Sequence, residues 1–208
     1  AEYAKVCFEL FGDRVKHWIT FNEPIVPVEA GYLYNWHYPN VMDGKRGIQV
    51  AFNTMLASAK AIEVYKSLNL DGQIGVVLNL TPSYPRSIEN PDDVKAAHIA
   101  DLFFNNSFLD PSVKGEYPKD LVSLLKEHDV LPQYETEDLE VIKHNTVDYL
   151  GVNYYQPRRI KAKESEVNKD IFMPDWFFDY YKMPGRKMNP HRGWEIYEKG
   201  IYDICLNI

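Results

Sequence analysis

The chain has 208 residues, 45% of them hydrophobic and 25% charged, the composition of one ordinary folded unit with enough apolar material for a core; a disordered segment is excluded. The formal net charge is −7 and no basic run stands out, which argues against a nucleic-acid partner and against an anionic membrane surface. Cys7 and Cys205 stand near opposite ends, outside any zinc or redox spacing, and read as two buried reduced thiols; the six histidines show no ligand spacing, so no metal is expected.

In chain order, Tyr3, Cys7, Leu10 and Phe11 recur at helical spacing up to Gly12 and predict a first helix. Its charges and amphipathic pattern set it apart from a signal peptide, and no apolar run in the chain reaches transmembrane length. "VKHWITF" follows as a strand of β-formers. Residues 50–68, rich in Ala, Met, Leu and Lys, predict a helix that stops at the turn signal "NLDGQ". "IGVVLNL" is then apolar without alternation, as in a parallel strand buried on both faces. Asn90, Pro91, Asp92 and Asp93 supply a cap, a first-position proline and first-turn acids for a helix running to about Phe108. Helices over 120–128 and 136–144 lead to the third strand, "VDYLGVNYY". Residues 156–190, charged, aromatic and broken by prolines, predict a long excursion, and "EKGIYDICLNI" opens a last helix.

This alternation is that of parallel βα units, with no repeat or linker to divide the chain, so residues 1–208 form a single domain. Three parallel strands neither close nor suffice as a sheet, and eight βα units take about 250 residues, so the chain reads as the middle of a larger barrel. In such barrels chemistry sits where strands end at their carboxyl side. Asn22 and Glu23, Asn79, and Asn153, Tyr154 and Tyr155 all occupy that position, on three strands with one mouth.

These motifs resemble glycoside hydrolase family 1, the retaining β-glycosidases. "TFNEP" resembles the acid/base motif, "DYLGVNYY" the sixth strand and "RGWEIYEKGIYD" the approach to the seventh. "GQIGVVLNLTPSYP" with "FFNNSFLDPSVKGEYP" is most similar to the branch acting on 6-phospho-β-glucosides. The resemblance implies a partial (β/α)8 barrel covering roughly the fourth to sixth strands, in a cytoplasmic, cofactor-free enzyme of carbohydrate catabolism. By the same implication Glu23 is the proton donor, Asn22 binds the sugar hydroxyl beside the anomeric carbon, Tyr155 holds the nucleophile's carboxylate, and Asn153 and Trp194 line the sugar site. The family's nucleophile, a glutamate in a "TENG"-like sequence, has no counterpart in these 208 residues, and "AFNTMLASAK" stands where the family carries a histidine-rich run. This piece alone is therefore expected to be inactive, and to need either the rest of the barrel or self-association to cover its edges.

The chemistry requires one carboxylic acid to protonate the leaving oxygen and a second carboxylate to attack, about 5–5.5 Å apart in a retaining enzyme. Partial burial and an ionised neighbour favour the protonated form that Glu23 needs. Each residue also has a plainer reading. A glutamate before proline at a strand end is more often a cap, Tyr154 a packing aromatic, Trp194 a loop anchor, and Glu195 a solvated or capping residue. Asn79 either contacts the leaving group or satisfies loose backbone at the strand end. The sequons at Asn79 and Asn105 fall in a strand and a helix, so neither is expected to carry glycan. The rival functions are a β-glucosidase or β-galactosidase for unphosphorylated substrates and a non-catalytic carbohydrate-binding or assembly module.

Overall fold

The computed structural model describes residues 1–208. Its elements are α1 (Glu2–Phe11), β1 (His17–Asn22), α2 (Ile25–Val28), α3 (Gly44–Ser67), β2 (Gln73–Asn79), β3 (Ser83–Pro85), α4 (Pro91–Asp101), α5 (Ser107–Val113), α6 (Lys119–Glu127), α7 (Thr136–His144), β4 (Tyr149–Asn153), β5 (Arg158–Ala162), β6 (Phe178–Tyr180) and α8 (Lys199–Asn207). Wide π-helical turns follow α2 and join α4 to α5.

The three apolar runs become one parallel sheet in the order β1-β2-β4, with Trp18 opposite Ile74, Val76 opposite Leu150 and Asn79 opposite Asn153. Each strand lies beside its neighbour in sequence across a helical crossover, the order of a barrel wall rather than of a doubly wound sheet, whose order reverses. The central strand buries one face rather than both: Ile74, Val76 and Leu78 on it are buried, Val77 and Asn79 on the other are half-buried, and every residue of β1 and β4 is partly or fully exposed. Gly75 lets β4 close in, because a Cβ there would stand 2.5 Å from the Tyr149 carbonyl oxygen.

Several expectations need correction. The second helix begins at Gly44 rather than near Val50, capped by Asp43, whose carboxylate accepts from the Arg46 amide at 3.0 Å. Gly44 and Gly47 disguise that first turn as a loop, but a Cβ at Gly44 would lie 2.3 Å from the Phe172 carbonyl oxygen, so tertiary contact dictates the glycine. The helical run expected to end near Phe108 continues to Val113, taking in Pro111. The long excursion is not structureless. Arg158–Ala162 and Phe178–Tyr180 join Ser83–Pro85 in a second three-stranded sheet, ordered β3-β5-β6, made of strands too short and charged to show a period.

The first helix turns a different face inward from the one its spacing marks. Phe8 is its buried residue, packed edge-on against Trp18 and Tyr65, while Tyr3, Val6, Leu10 and Phe11 are exposed. Neither cysteine is buried: Cys7, midway along α1, is half-buried and Cys205, near the end of α8, is exposed. Tyr202 and Leu206 on α8 add to this apolar exposure. No helix is long and apolar enough to cross a membrane.

Polar groups inside the molecule tie helices and loops to the strands. Asp93, fully buried in the first turn of α4, accepts from the Ala162 amide at 2.7 Å and from the Arg86 guanidinium at 3.1 and 3.3 Å. Asn105, also buried, accepts from the Thr81 amide at 3.0 Å and donates to the Thr81 carbonyl at 2.9 Å, fixing the loop after β2. Tyr154 runs under α8, its hydroxyl donating to the Tyr197 carbonyl at 2.6 Å. Gly200 makes the room, since a Cβ there would lie 2.0 Å from that hydroxyl.

Replacing Asp93 by Ala leaves the part-buried Ala162 amide without its acceptor and the Arg86 guanidinium with Glu164 alone, 2.8 Å away, and the expected loss is about 2 kcal/mol in urea unfolding; a loss under about 0.5 kcal/mol would show that the carboxylate is dispensable. A second expectation concerns alkaline pH. Burial first, with the charge of Glu195 adding to it, pushes the Tyr154 hydroxyl up to about 12. The folded state therefore holds this proton more tightly than the unfolded chain, where tyrosine titrates near about 10. That stabilisation is complete below about pH 10 and is lost as pH rises through about 12. Tyr154→Phe should fall less steeply in stability across that window than the parent chain, and parallel curves would refute the assignment.

Candidate active site

Strand β1 does not run straight to its end. Its register with β2 slips between Ile19 and Asn22, a bulge that leaves Asn22 opposite Val77 and lets the Glu23 amide donate to the Val77 carbonyl at 2.8 Å. Glu23 itself takes φ +51, a left-handed conformation that a side chain other than glycine adopts at a cost. Pro24 follows and α2 starts at once, its Val26 amide donating back to the Glu23 carbonyl at 3.0 Å. The peptide is thus held in an unfavourable turn by the strand on one side and the helix on the other.

This turn brings the Glu23 carboxylate to the end of β4, although β2 lies between the two strands. Asn153 Nδ2 donates to Glu23 Oε1 at 2.8 Å and to Asn22 Oδ1 at 3.2 Å. The Tyr155 hydroxyl donates to the same Glu23 oxygen at 2.7 Å. Both donors converge on one carboxylate oxygen, and Oε2 makes no hydrogen bond within the chain. Glu23 is half-buried and Asn22 exposed, as suits groups on the rim of a cleft. Hydrogen bonding to Glu23, with some burial and the charge of that carboxylate, raises the Tyr155 hydroxyl above its ordinary value.

Trp194 reaches the same place from a distant part of the sequence. Its ring packs on that of Tyr155 with centroids 5.2 Å apart at 51°, and the Arg192 guanidinium lies 5.4 Å from its centroid. Glu23, Asn22, Asn153, Tyr155 and Trp194 therefore form one contiguous group. Asn79 stands in register with Asn153, but its Oδ1 accepts from the Thr81 hydroxyl at 3.5 Å, which ties it to its own loop rather than to Glu23. The Tyr155 hydroxyl, expected to hold a nucleophile's carboxylate that these residues do not include, donates here to Glu23.

Glu195 is not the solvated or capping residue that its neighbours suggest. It is 4% exposed and receives a two-pronged bond from Arg159 Nη2 and Nε at 2.6 and 3.2 Å. A pair separated by 36 residues leaves no periodic trace, and the "GWE" and "RRIKA" segments read singly as surface charge. No group of three or more His, Cys, Asp or Glu side chains is placed to hold a metal ion.

A sequence model described as Glycosyl hydrolase family 1 matches residues 1–208. The 6-phospho-beta-glucosidase GmuD of Bacillus subtilis (strain 168) is 66% identical over 207 residues, covering 99% of this chain and 44% of that protein. A 6-phospho-beta-galactosidase of Clostridium acetobutylicum is 37% identical, covering 99% of this chain and 47% of its own length. Among solved structures, the virulence factor SghA from Agrobacterium tumefaciens superimposes with a TM-score of 0.86 at 28% identity, covering 100% of this chain and 44% of SghA. The beta-glucosidase of Thermotoga maritima in complex with galacto-hydroximolactam gives 0.81 at 33% identity, with 100% of this chain and 43% of the enzyme covered. The chain spans less than half the length of the relatives it matches. A family match over every residue, on a fold shared with these enzymes, shows that the chain belongs to glycosyl hydrolase family 1 and forms part of its (β/α)8 barrel.

Proposed function

We propose that this chain supplies the proton-donor half of a retaining β-glycosidase that hydrolyses 6-phospho-β-glucosides, the attacking carboxylate coming from the seventh strand of a complete barrel. The observation that carries this reading is the Glu23 carboxylate, held in a left-handed turn with one oxygen bound by Asn153 and Tyr155 and the other left without a partner. An acid of this kind needs one oxygen fixed, so that it stays aimed, and one free to carry the proton to the leaving group. The same carboxylate then deprotonates the water that releases the sugar.

Asn22 and Asn153 are the sugar ligands in this reading. Asn153 spends its amide donor on Glu23 and Asn22, leaving its carbonyl oxygen to accept from a sugar hydroxyl, and the exposed Asn22 amide can donate to one without a change of charge. Tyr155 has a single proton to give. While Glu23 is ionised the hydroxyl donates to it; once Glu23 is protonated, the hydroxyl is released to a second carboxylate about 5–5.5 Å away. Trp194 supplies an apolar wall, while Asn79, bonded to Thr81 in its own loop, is left out of the sugar site.

The relative at 66% identity, named a 6-phospho-beta-glucosidase, supports the phosphorylated substrate, and the 6-phospho-beta-galactosidase at 37% supports a phosphosugar in general. A sugar phosphate is charged and does not cross a membrane unaided, which favours action in the cytoplasm. The exposed apolar residues of α1 and α8 are the surface on which the remaining barrel, or a second copy in its absence, packs.

Two measurements test the role of Glu23. In a protein carrying the complete barrel, Glu23→Ala should lower turnover of alkyl or sugar glycosides by about 10²–10⁴-fold while sparing the glycosylation step for dinitrophenyl glycosides, whose leaving group departs without a proton. Azide should then restore turnover and give a glycosyl azide of retained β configuration; an α product, or no response, would end the assignment. Comparing 6-phosphorylated with plain substrates in the parent protein decides between the phospho-β-glucosidase and the β-glucosidase reading. In the 208-residue chain itself, Glu23→Gln removes the charge that holds the Tyr155 proton, so the hydroxyl should titrate at lower pH than in the parent. Spectrophotometric titration against Tyr155→Phe controls reads this shift, and an unchanged titration would show that the two groups are not bonded in solution.

A further inference from the structure

Residues 187–196 fold back on themselves as a short hairpin. The Asn189 amide donates to the Trp194 carbonyl at 2.7 Å, the Ile196 amide to the Lys187 carbonyl at 2.8 Å, and Met188 and Glu195 form an antiparallel bridge. At its tip Asn189 Oδ1 accepts from the His191 and Arg192 amides at 2.9 and 3.1 Å, and Gly193 takes φ +67. Such a ribbon is marginal by itself, so the orientation of Trp194 depends on what holds the hairpin down.

Glu195 does so at two points. Its carboxylate accepts both prongs of Arg159, at 2.6 and 3.2 Å, and the guanidinium rests against the edge-to-face pair Tyr84 and Tyr197, 4.9 and 4.6 Å from their centroids. Its backbone amide donates to Gln156 Oε1 at 3.2 Å. Gln156 immediately follows Tyr155 and Glu195 immediately follows Trp194, so these bonds join the two segments one residue away from each aromatic ring. Arg159 and Glu195 are 8% and 4% exposed. A buried ion pair gives little net stability over apolar residues of the same shape, but a two-pronged guanidinium–carboxylate bond fixes orientation in a way that apolar packing does not.

We propose that Arg159 and Glu195, with Gln156, are positioning residues that hold Trp194 against Tyr155 and thereby set the aromatic wall beside the proton donor, so that they govern how tightly substrate binds rather than how the proton moves. The proposal rests on the reading of Glu23 as the acid, since that reading makes the wall part of a substrate site.

The test uses the protein with its complete barrel and three changes: Glu195→Gln, Gln156→Ala, and the double replacement Arg159→Met with Glu195→Leu. Each is measured for thermal midpoint, for acrylamide quenching of Trp194 obtained by subtracting a Trp194→Phe background, and for kcat and KM on p-nitrophenyl 6-phospho-β-glucoside. The double variant should keep its midpoint yet expose Trp194 to quencher, raise KM about tenfold and leave kcat within about threefold. Glu195→Gln should show the same pattern with a lower midpoint. If the double variant is folded and both quenching and KM stay within about twofold of the parent, the pair is only structural and the proposal falls. It falls equally if Trp194 loosens while KM does not move. Should the double variant fail to fold, Gln156→Ala, which removes one neutral hydrogen bond, decides by the same two readouts. Quenching does not depend on which residue is the acid, so a failure of the Glu23 reading would appear in the azide experiment and leave this measurement intact.

Discussion

Strand β2 is the member on which the other parts depend. It is the strand with a hydrogen-bonded parallel neighbour on each side, and Ile74, Val76 and Leu78 are almost completely buried. A strand in that position fixes the register of both neighbours, because a one-residue slip would turn its apolar side chains the wrong way. The ends of β1 and β4 are thereby set two residues apart along β2, with Asn22 beside Val77 and Asn153 beside Asn79, a stagger that the turn at Glu23 spans. Asn153 and Tyr155 can then reach across β2 to Glu23. The site is a by-product of strand register, corrected locally by the bulge in β1.

Around that sheet, buried charge does work that apolar packing does elsewhere. Asp93 joins α4 to β5 and to Arg86, and Arg159 with Glu195 joins β5 to the segment before α8. Both connections involve the small second sheet, whose strands have three to five residues each and little apolar alternation. Such strands have little intrinsic preference for their partners. Charge-assisted bonds with one allowed geometry supply the specificity that sequence pattern lacks there.

This division also explains what the sequence discloses. The run Ile74–Leu80 announces a parallel strand by its unbroken apolar character, although only the face of Ile74, Val76 and Leu78 is buried, and the Asn90–Pro91–Asp92 cap is local chemistry that no distant contact overrides. The grouping of Glu23, Asn153 and Tyr155 is legible once the strands are parallel, since strand ends must then meet. The role of Glu195 is not legible, because its partner is far away in sequence and its immediate neighbours describe a surface turn. The inward face of α1 is misread for a related reason: Phe8 is chosen by Trp18 and Tyr65, while the more regular stripe of Tyr3, Leu10 and Phe11 has no cover among these residues. Helical spacing reports which residues share a face, and only the surroundings decide which face turns inward.

The left-handed backbone at Glu23 carries a consequence for how this segment changes by mutation. Glycine would occupy that conformation without steric cost, and any other residue is tolerated there only because the bulge and α2 enforce it. Chain stability and chemistry therefore favour different residues at one position. Replacement of Glu23 by glycine would relieve the turn, whereas any residue with a Cβ inherits the same strain. Relief therefore runs through glycine alone: the strain lies in the backbone and its Cβ and not in the carboxyl group, so exchange for alanine or glutamine leaves it in place.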